Sequence, residues 1–361
     1  MKKSLLATTA IAALGAVAVA SPASAKFEVG VSGYMEQWFG YSDNKESVQA
    51  NGDMFDQLSD SEFFVGFKQT LDNGLEIGGE IQVEGQQLTM IHAGSGDNSN
   101  QYIDEQYIFV NGSFGRFEIG TDNGAQYRMH YGIASHGIGI DEGDVSEWIP
   151  GADRSLRATN LTFFLENDAN KITYFSPRVN GFQFGATYIP ENDTNNLPLR
   201  SPTGREVDAR RDNGWQVGAN YVTSVADMSV KASVGYVDMG NSVTADGDQE
   251  ALSAGVQLGF GGFTASIAYG EHNNDAGNGE DINNFGVGLG YKAGPAGVSV
   301  GYIRGEDSDD NVKQDAAEVG ASYQMGPGVT AKSSVYYVKT VTAGIATADG
   351  VAVVGGLALK F

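Results

Sequence analysis

The chain has no cysteine, so no disulfide contributes to its stability. It is also short of positive charge: 22 Lys and Arg stand against 45 Asp and Glu, for a formal net charge of −23. Nucleic-acid partners are excluded on that ground, because phosphate backbones are held through basic groups. Cations, divalent ones included, suit the field of such a chain. Beyond residue 25 there is no apolar run of the ~18 residues that mark a membrane-crossing helix. Helical stripes are missing too, apart from room for a turn or two inside one long connector.

Catalytic patterns are equally scarce. No G-x-S-x-G occurs, and the four histidines are scattered, His130 and His136 lying six apart, a poor metal spacing. EDSDDNVKQD, Glu306 to Asp315, lacks the glycine and final glutamate of an EF-hand. GIGIDEG, Gly137 to Gly143, lacks the spacing and strand–helix context of a phosphate loop. The residues predict no enzyme and no required cofactor.

What is present begins with MKKSLLATTAIAALGAVAVASPASA. Two lysines, an Ala-rich apolar stretch and an A-x-A site predict a secretory signal over 1–25, cleaved after Ala25. The mature domain, 26–361, then has 20 basic against 45 acidic residues, or −25. Glycine is abundant, 50 of 361 residues, about twice the usual 7%, with no collagen-like period.

Alternation runs through the whole mature chain. In GLEIGGEIQVEGQ, Leu75, Ile77, Ile81 and Val83 share one face, and Glu76, Glu80 and Glu84 the other. NFGVGLGYK sets Phe285, Val287, Leu289 and Tyr291 against glycines. The final VAVVGGLALKF places Val351, Val353, Leu357, Leu359 and Phe361 on one face, the period of a strand. Seven short connectors such as LDNG, KAGPAG and QMGPG have hairpin composition. They alternate with eight long polar ones near 42–59, 88–100, 122–168, 191–212, 239–248, 272–281, 305–313 and 341–348. That predicts 16 strands of about ten residues, apolar on one face and polar on the other. In lipid every backbone polar group must pair internally, so such a chain closes on itself. The fold class is all-β: a 16-stranded antiparallel transmembrane β-barrel in the outer membrane, whose last strand ends at Phe361.

Three stretches then resemble the general bacterial porins: DSEFFVGFKQTLDNGLEIGGEIQVEG (Asp60 to Gly85), YIFVNGSFGRFEIGTDN (Tyr107 to Asn123) and NKITYFSPRVNGFQFGATY (Asn170 to Tyr188). The terminal strand is a fourth. The resemblance covers essentially the whole mature chain. It implies a water-filled barrel, a homotrimer among outer-membrane lipid and lipopolysaccharide, passing small hydrophilic solutes. It also implies that the third long loop, about 122–168, folds inward and narrows the pore. Two family features are missing. The strand entering this loop reads IGTDN, with an aspartate where an arginine often stands, and the loop's Pro-Glu-Phe-Gly-Gly-Asp-like signature is absent.

The candidate constriction follows from charge and parity. The loop holds Asp141, Glu142, Asp144 and Glu147, then Arg154 and Arg157; Lys68, Arg116, Lys171 and Lys231 are lumen-facing bases, and Glu76, Glu80 and Glu84 lumen acids. Acids facing bases across a pore create a transverse field, and charged rings set ion preference; the acidic excess predicts a preference for cations. Hard oxygens clustered at Asp141, Glu142 and Asp144 also suit Ca²⁺. Alternatives are a substrate-specific, sugar-type porin, an adhesin, and a barrel enzyme.

Overall fold

The computed structural model describes residues 27–45, 53–85, 103–140, 145–149, 152, 165, 169–191, 212–240, 247–275 and 281–361. The period-two segments form strands β1 (Glu28–Asn44), β2 (Asp53–Thr70), β3 (Glu76–Glu84), β4 (Ile103–Gly112), β5 (Gly115–Thr121), β6 (Lys171–Phe175), β7 (Phe182–Glu191) and β8 (Asp212–Val225). They continue as β9 (Met228–Gly240), β10 (Gln249–Phe260), β11 (Phe263–Asn274), β12 (Ile282–Ala293), β13 (Ala296–Asp307), β14 (Val312–Gly326), β15 (Val329–Thr342) and β16 (Ile345–Lys360). Two four-residue helices, α1 (Ala125–Arg128) and α2 (Val145–Trp148), lie between β5 and β6.

Every strand pairs with its sequence neighbours, and β1 pairs antiparallel with β16, closing a 16-stranded barrel. The seam includes the last residue. Gly33 donates its N–H to the Phe361 carbonyl at 2.9 Å, and Phe361 returns the bond at 3.1 Å. The Phe361 ring also packs on Phe63, 5.7 Å between centroids. The apolar C-terminal run is therefore the closing strand, with no sheet edge left open.

The two faces differ as the alternation requires. Along β12 and β13, Phe285, Val287, Leu289, Tyr291, Val298 and Val300 point outward and are exposed, whereas Asn284 and Ser299 point inward and are buried. Aromatic pairs ring the outside near the short turns: Phe117–Tyr174, Phe182–Tyr221 and Phe263–Tyr291, at 4.7, 4.4 and 4.4 Å. Near the long connectors Trp215 packs on Tyr236 at 5.2 Å. These are the aromatic girdles of a membrane barrel.

Some boundaries differ from the sequence reading. The stretch 341–348 is no long loop: β15 and β16 meet at a two-residue turn, Ala343 and Gly344, with φ of 50° and 85°. Both fall in the left-handed region that a primed hairpin turn demands. The connector near 305–313 shrinks to four residues, 308–311, and β2 starts at Asp53, within the stretch 42–59. These segments are polar but alternate, and pairing across the sheet outweighs their weak strand composition. The small residues Ala352 and Ala358 of β16 face inward and are buried, so they offer no flat outer face to a neighbour.

Candidate constriction site

The segment that follows β5 is rooted in a buried charge cluster. Glu118 of β5 is paired with both Arg116 and Arg128. Arg128, at the end of α1, also reaches Asp122 at 2.7 Å, and its guanidinium lies over the Phe175 ring at 4.6 Å. Arg116 stacks on Phe109 at 3.7 Å. Lys171 of β6 donates to the Asp122 carbonyl oxygen, and Asn123 donates its amide to Glu105 of β4. Burial alone would pull Arg128 down, but Asp122 and Glu118 outweigh it and hold its pKa above the usual guanidinium value.

From this root the segment runs along the polar face of the wall, and its backbone is bonded to one strand after another. Ala125 N–H donates to Thr187 Oγ1 of β7 (2.9 Å), Gln126 N–H to Gln216 Oε1 of β8 (3.1 Å), and Tyr131 N–H to Ser233 Oγ of β9 (2.9 Å). Ala134, His136 and Ile138 then donate to Ser266, Ser299 and Ser334 of β11, β13 and β15, at 2.7, 2.7 and 2.8 Å. Gln257 of β10 donates to the Gly132 carbonyl at 2.9 Å, and Glu318 of β14 accepts from Gly139 N–H at 3.1 Å. A segment with a single short helix of its own thus satisfies much of its backbone on side chains from eight strands.

Such an approach requires the wall to be recessed. A Cβ on Gly255 would stand 1.8 Å from the Tyr131 carbonyl oxygen, one on Gly320 2.5 Å from Gly137 N, and one on Gly218 2.6 Å from the Ala125 oxygen. The far end is anchored differently. Trp148 of α2 is fully buried, its ring 2.4 Å from where a Gly40 Cβ would lie on β1. Around it pack Ile140, Val145, Ile149, Tyr336, Val338 and Val354. His130 is buried against β10, neither ring nitrogen having a hydrogen-bond partner among the described residues. Burial pushes its pKa down to about 4.

A family model described as Gram-negative porin matches residues 7–343. The chain belongs to that family. No curated protein matches it significantly in sequence. Among solved structures it is similar to the anion-selective porin from Comamonas acidovorans, at 15% identity and TM-score 0.62, over 93% of this chain and 100% of that one. It is also similar to OmpT, an outer membrane protein of Vibrio cholerae, in its trimer form, at 14% identity and TM-score 0.61, over 93% and 99%. At these identities the likeness concerns the barrel.

Against this porin frame the predicted site residues divide. Arg116 and Lys171 join the root cluster, and Glu80, buried and bonded by Gln82 at 3.1 Å, faces it from β3. Lys68 pairs with Glu76 at 3.4 Å, close to a short turn and away from the segment. Glu84 gathers with Glu62 and Asp104, their oxygens within 4.8 Å of one another. Lys231 lies 5.5 Å from the Tyr131 ring. Asp141, Glu142, Asp144, Arg154 and Arg157, and with them the calcium expectation, lie outside the described residues, as does the Glu147 side chain. The sequence reading missed Arg128, Glu118 and the serine supports, and noted Asp122 only as a departure from the family pattern. A signal for the supports exists: Ser233-Val-Gly235 and Ser253-Ala-Gly255 repeat a serine and a glycine on one inner face.

Proposed function

We propose that this porin is a water-filled diffusion channel of the outer membrane for ions and small hydrophilic solutes, with the segment after β5 as its constriction. The observation that carries this reading is the bonding of 125–139 to eight strands of the polar face. A loop of that kind narrows a barrel without closing it, and polar walls favour solutes that keep their hydration. Cations are preferred: Glu36, Glu62, Glu80, Glu105 and Glu118 stand on β1–β5, and the mature chain is strongly acidic. Residues 1–25 act as a signal that directs the chain across the inner membrane and is cleaved off. The working unit is a homotrimer, as in the Vibrio cholerae relative, with the outward Arg304 and Lys313 near the long connectors facing lipopolysaccharide. Asp141, Glu142 and Asp144 hold Ca²⁺ when it is present, without its being needed for conduction.

Single-channel recording in a planar bilayer under a salt gradient tests the proposal. Stable stepwise currents, often in threes, with a reversal potential favouring cations, are expected. Neutralising Asp141, Glu142, Asp144 and Glu147 together should reduce that preference, and a calcium chelator should leave the conductance standing. Folded protein that passes no current would overturn the channel reading and favour a closed barrel such as an adhesin or enzyme.

A further inference from the structure

The basic residues of the inner face are not spread evenly. On β9, β12 and β15, Lys231, Lys292 and Lys332 each lie two residues from a position that meets the bonded segment: Ser233, Gly290 and Ser334. In all three strands the lysine is on the side of the short turn. Register places them inward, because Lys231 pairs with Gln257, Lys292 with Gly297 and Lys332 with Ser322. Gln257 bonds the segment, and Gly297 approaches both His136 and Ser322. The Cα atoms of the three lysines therefore each lie about 7 Å along their strands from the segment, toward the short turns. Arg178 joins them from the turn between β6 and β7. Its guanidinium donates to the Gly181 carbonyl, Gln183 Oε1 and Asn220 Oδ1, at 2.7, 2.8 and 2.7 Å, and Asn220 in turn donates to the Met129 carbonyl at 3.2 Å.

All of those Arg178 acceptors are neutral. Among the described residues no ion pair joins Arg178, Lys231, Lys292 or Lys332 to a carboxylate, whereas Lys68 and Arg116 are both paired. Lys231 and Lys292 are exposed and Lys332 half-buried. Inner-face positions nearer the short turns on β7 to β15 carry Gln183, Asn220, Gln257, Thr264, Ser322 and Gln324, and no acid. A chain with twice as many acids as bases thus keeps unpaired cations together at one level of one mouth.

We propose that these four residues form an anion-binding collar at the short-turn mouth, fitted to an extended polyanion that enters from that side. The spacing sets the ligand class. Lys231, Lys292 and Lys332 are separated by three strands each, or about 14 Å along the wall at ~4.8 Å per strand. One small anion cannot bridge that distance, whereas a flexible chain of closely spaced negative charges meets several cations at once. Among the described residues the opposite mouth has no matching ring.

The inference rests on the channel reading, and the experiment separates the two. Conductance is recorded first with no anion added; its absence would remove the channel and the collar together. Inorganic polyphosphate, tens of units long, is then added to one chamber at a time. Ser308→Cys, on the connector between β13 and β14, is labelled beforehand with biotin maleimide, so that streptavidin marks the long-connector side in a protein otherwise free of thiols. Block from the short-turn side, at least tenfold more potent than from the other and relieved by salt, is expected. Orthophosphate at equal total charge should not reproduce it. Lys231→Gln, Lys292→Gln and Lys332→Gln combined should abolish the sidedness and move the reversal potential further toward cations. Equal block from both sides, equal block by orthophosphate, or a triple variant that behaves as the parent would each overturn the collar. The comparison of sides in the unsubstituted pore stands even if the triple variant fails to fold.

Discussion

Two arcs of one wall meet the same loop segment and answer it with different chemistry. From β1 to β5 the inner face carries large and charged side chains, including Glu80, Glu105, Tyr107, Phe109 and Glu118. From β7 to β15 it carries Thr187, Ser233, Ser266, Ser299 and Ser334, with glycines such as Gly218, Gly255 and Gly320 set among them. Where the segment leans on the wall, the wall offers hydroxyls and hollows. Where the segment is rooted, at β5, the wall answers with charge. Charge and support are thus divided around one circumference, and a set of inner-face glycines belongs to support.

The comparison is broken most severely at the junction of the arcs. Arg128→Met leaves Glu118 with Arg116 alone and takes from Asp122 its guanidinium partner, and loss of one partner from a buried pair costs about 3–5 kcal/mol. The heat- and urea-resistance of the folded barrel should fall, and single-channel currents should become noisy as the segment loses its root. Gly255→Val comes next. Its side chain meets the Tyr131 carbonyl, and overpacking of this kind costs about 1–3 kcal/mol. Gly66→Ala on β2 is the counterpart in the other arc: its Cβ would lie 3.6 Å from Glu80, an ordinary contact. A urea midpoint that drops for the first and holds for the second sharpens the division; equal effects erase it.

Acid probes the supported arc without a substitution there. His130 is neutral when seated, with a pKa of about 4 against 6.5 for the free imidazole. Burial is the cause of the depression, and neither ring nitrogen has a hydrogen-bond partner among the described residues. Because the seated value is depressed, stability of the seat is complete above pH 6.5 and is lost as pH falls from there toward 4. The loss is on the order of 2 kcal/mol by pH 5. Current fluctuations should rise over that window, and His130→Gln should remove the dependence. The smallest effects belong to single supports. Ser266→Ala, Ser299→Ala and Ser334→Ala each remove one acceptor, at about 1 kcal/mol, and a combined variant should approach their sum unless the segment moves as one body.

The outline of this molecule is legible in its residues because strand period and turn chemistry are local. Phe285 to Tyr291 states its two faces without help from any other part of the chain. The turn at Ala343 and Gly344 was hidden, because Thr and Ala read as loop until a paired strand claims them. The site was legible only in part. Parity places Arg116, Lys171 and Glu80 inside, but nothing in the sequence says that Arg128 returns to them. Ala134 and Ser266 are 132 residues apart and Ile138 and Ser334 are 196 apart, and no periodicity reports such a pairing. The inner-face glycines were visible as a pattern, yet their purpose needed the segment that lies in them.

The bonded segment also bears on mechanics. A thin-walled tube fails by flattening, its cross-section turning from a circle into an ellipse as opposite sides approach. A strap fixed to the inner wall at eight strands between β7 and β15 and wedged at Gly40 by Trp148 resists that mode, because every flattening must stretch or buckle it. The segment proposed as the constriction thus also keeps the barrel round.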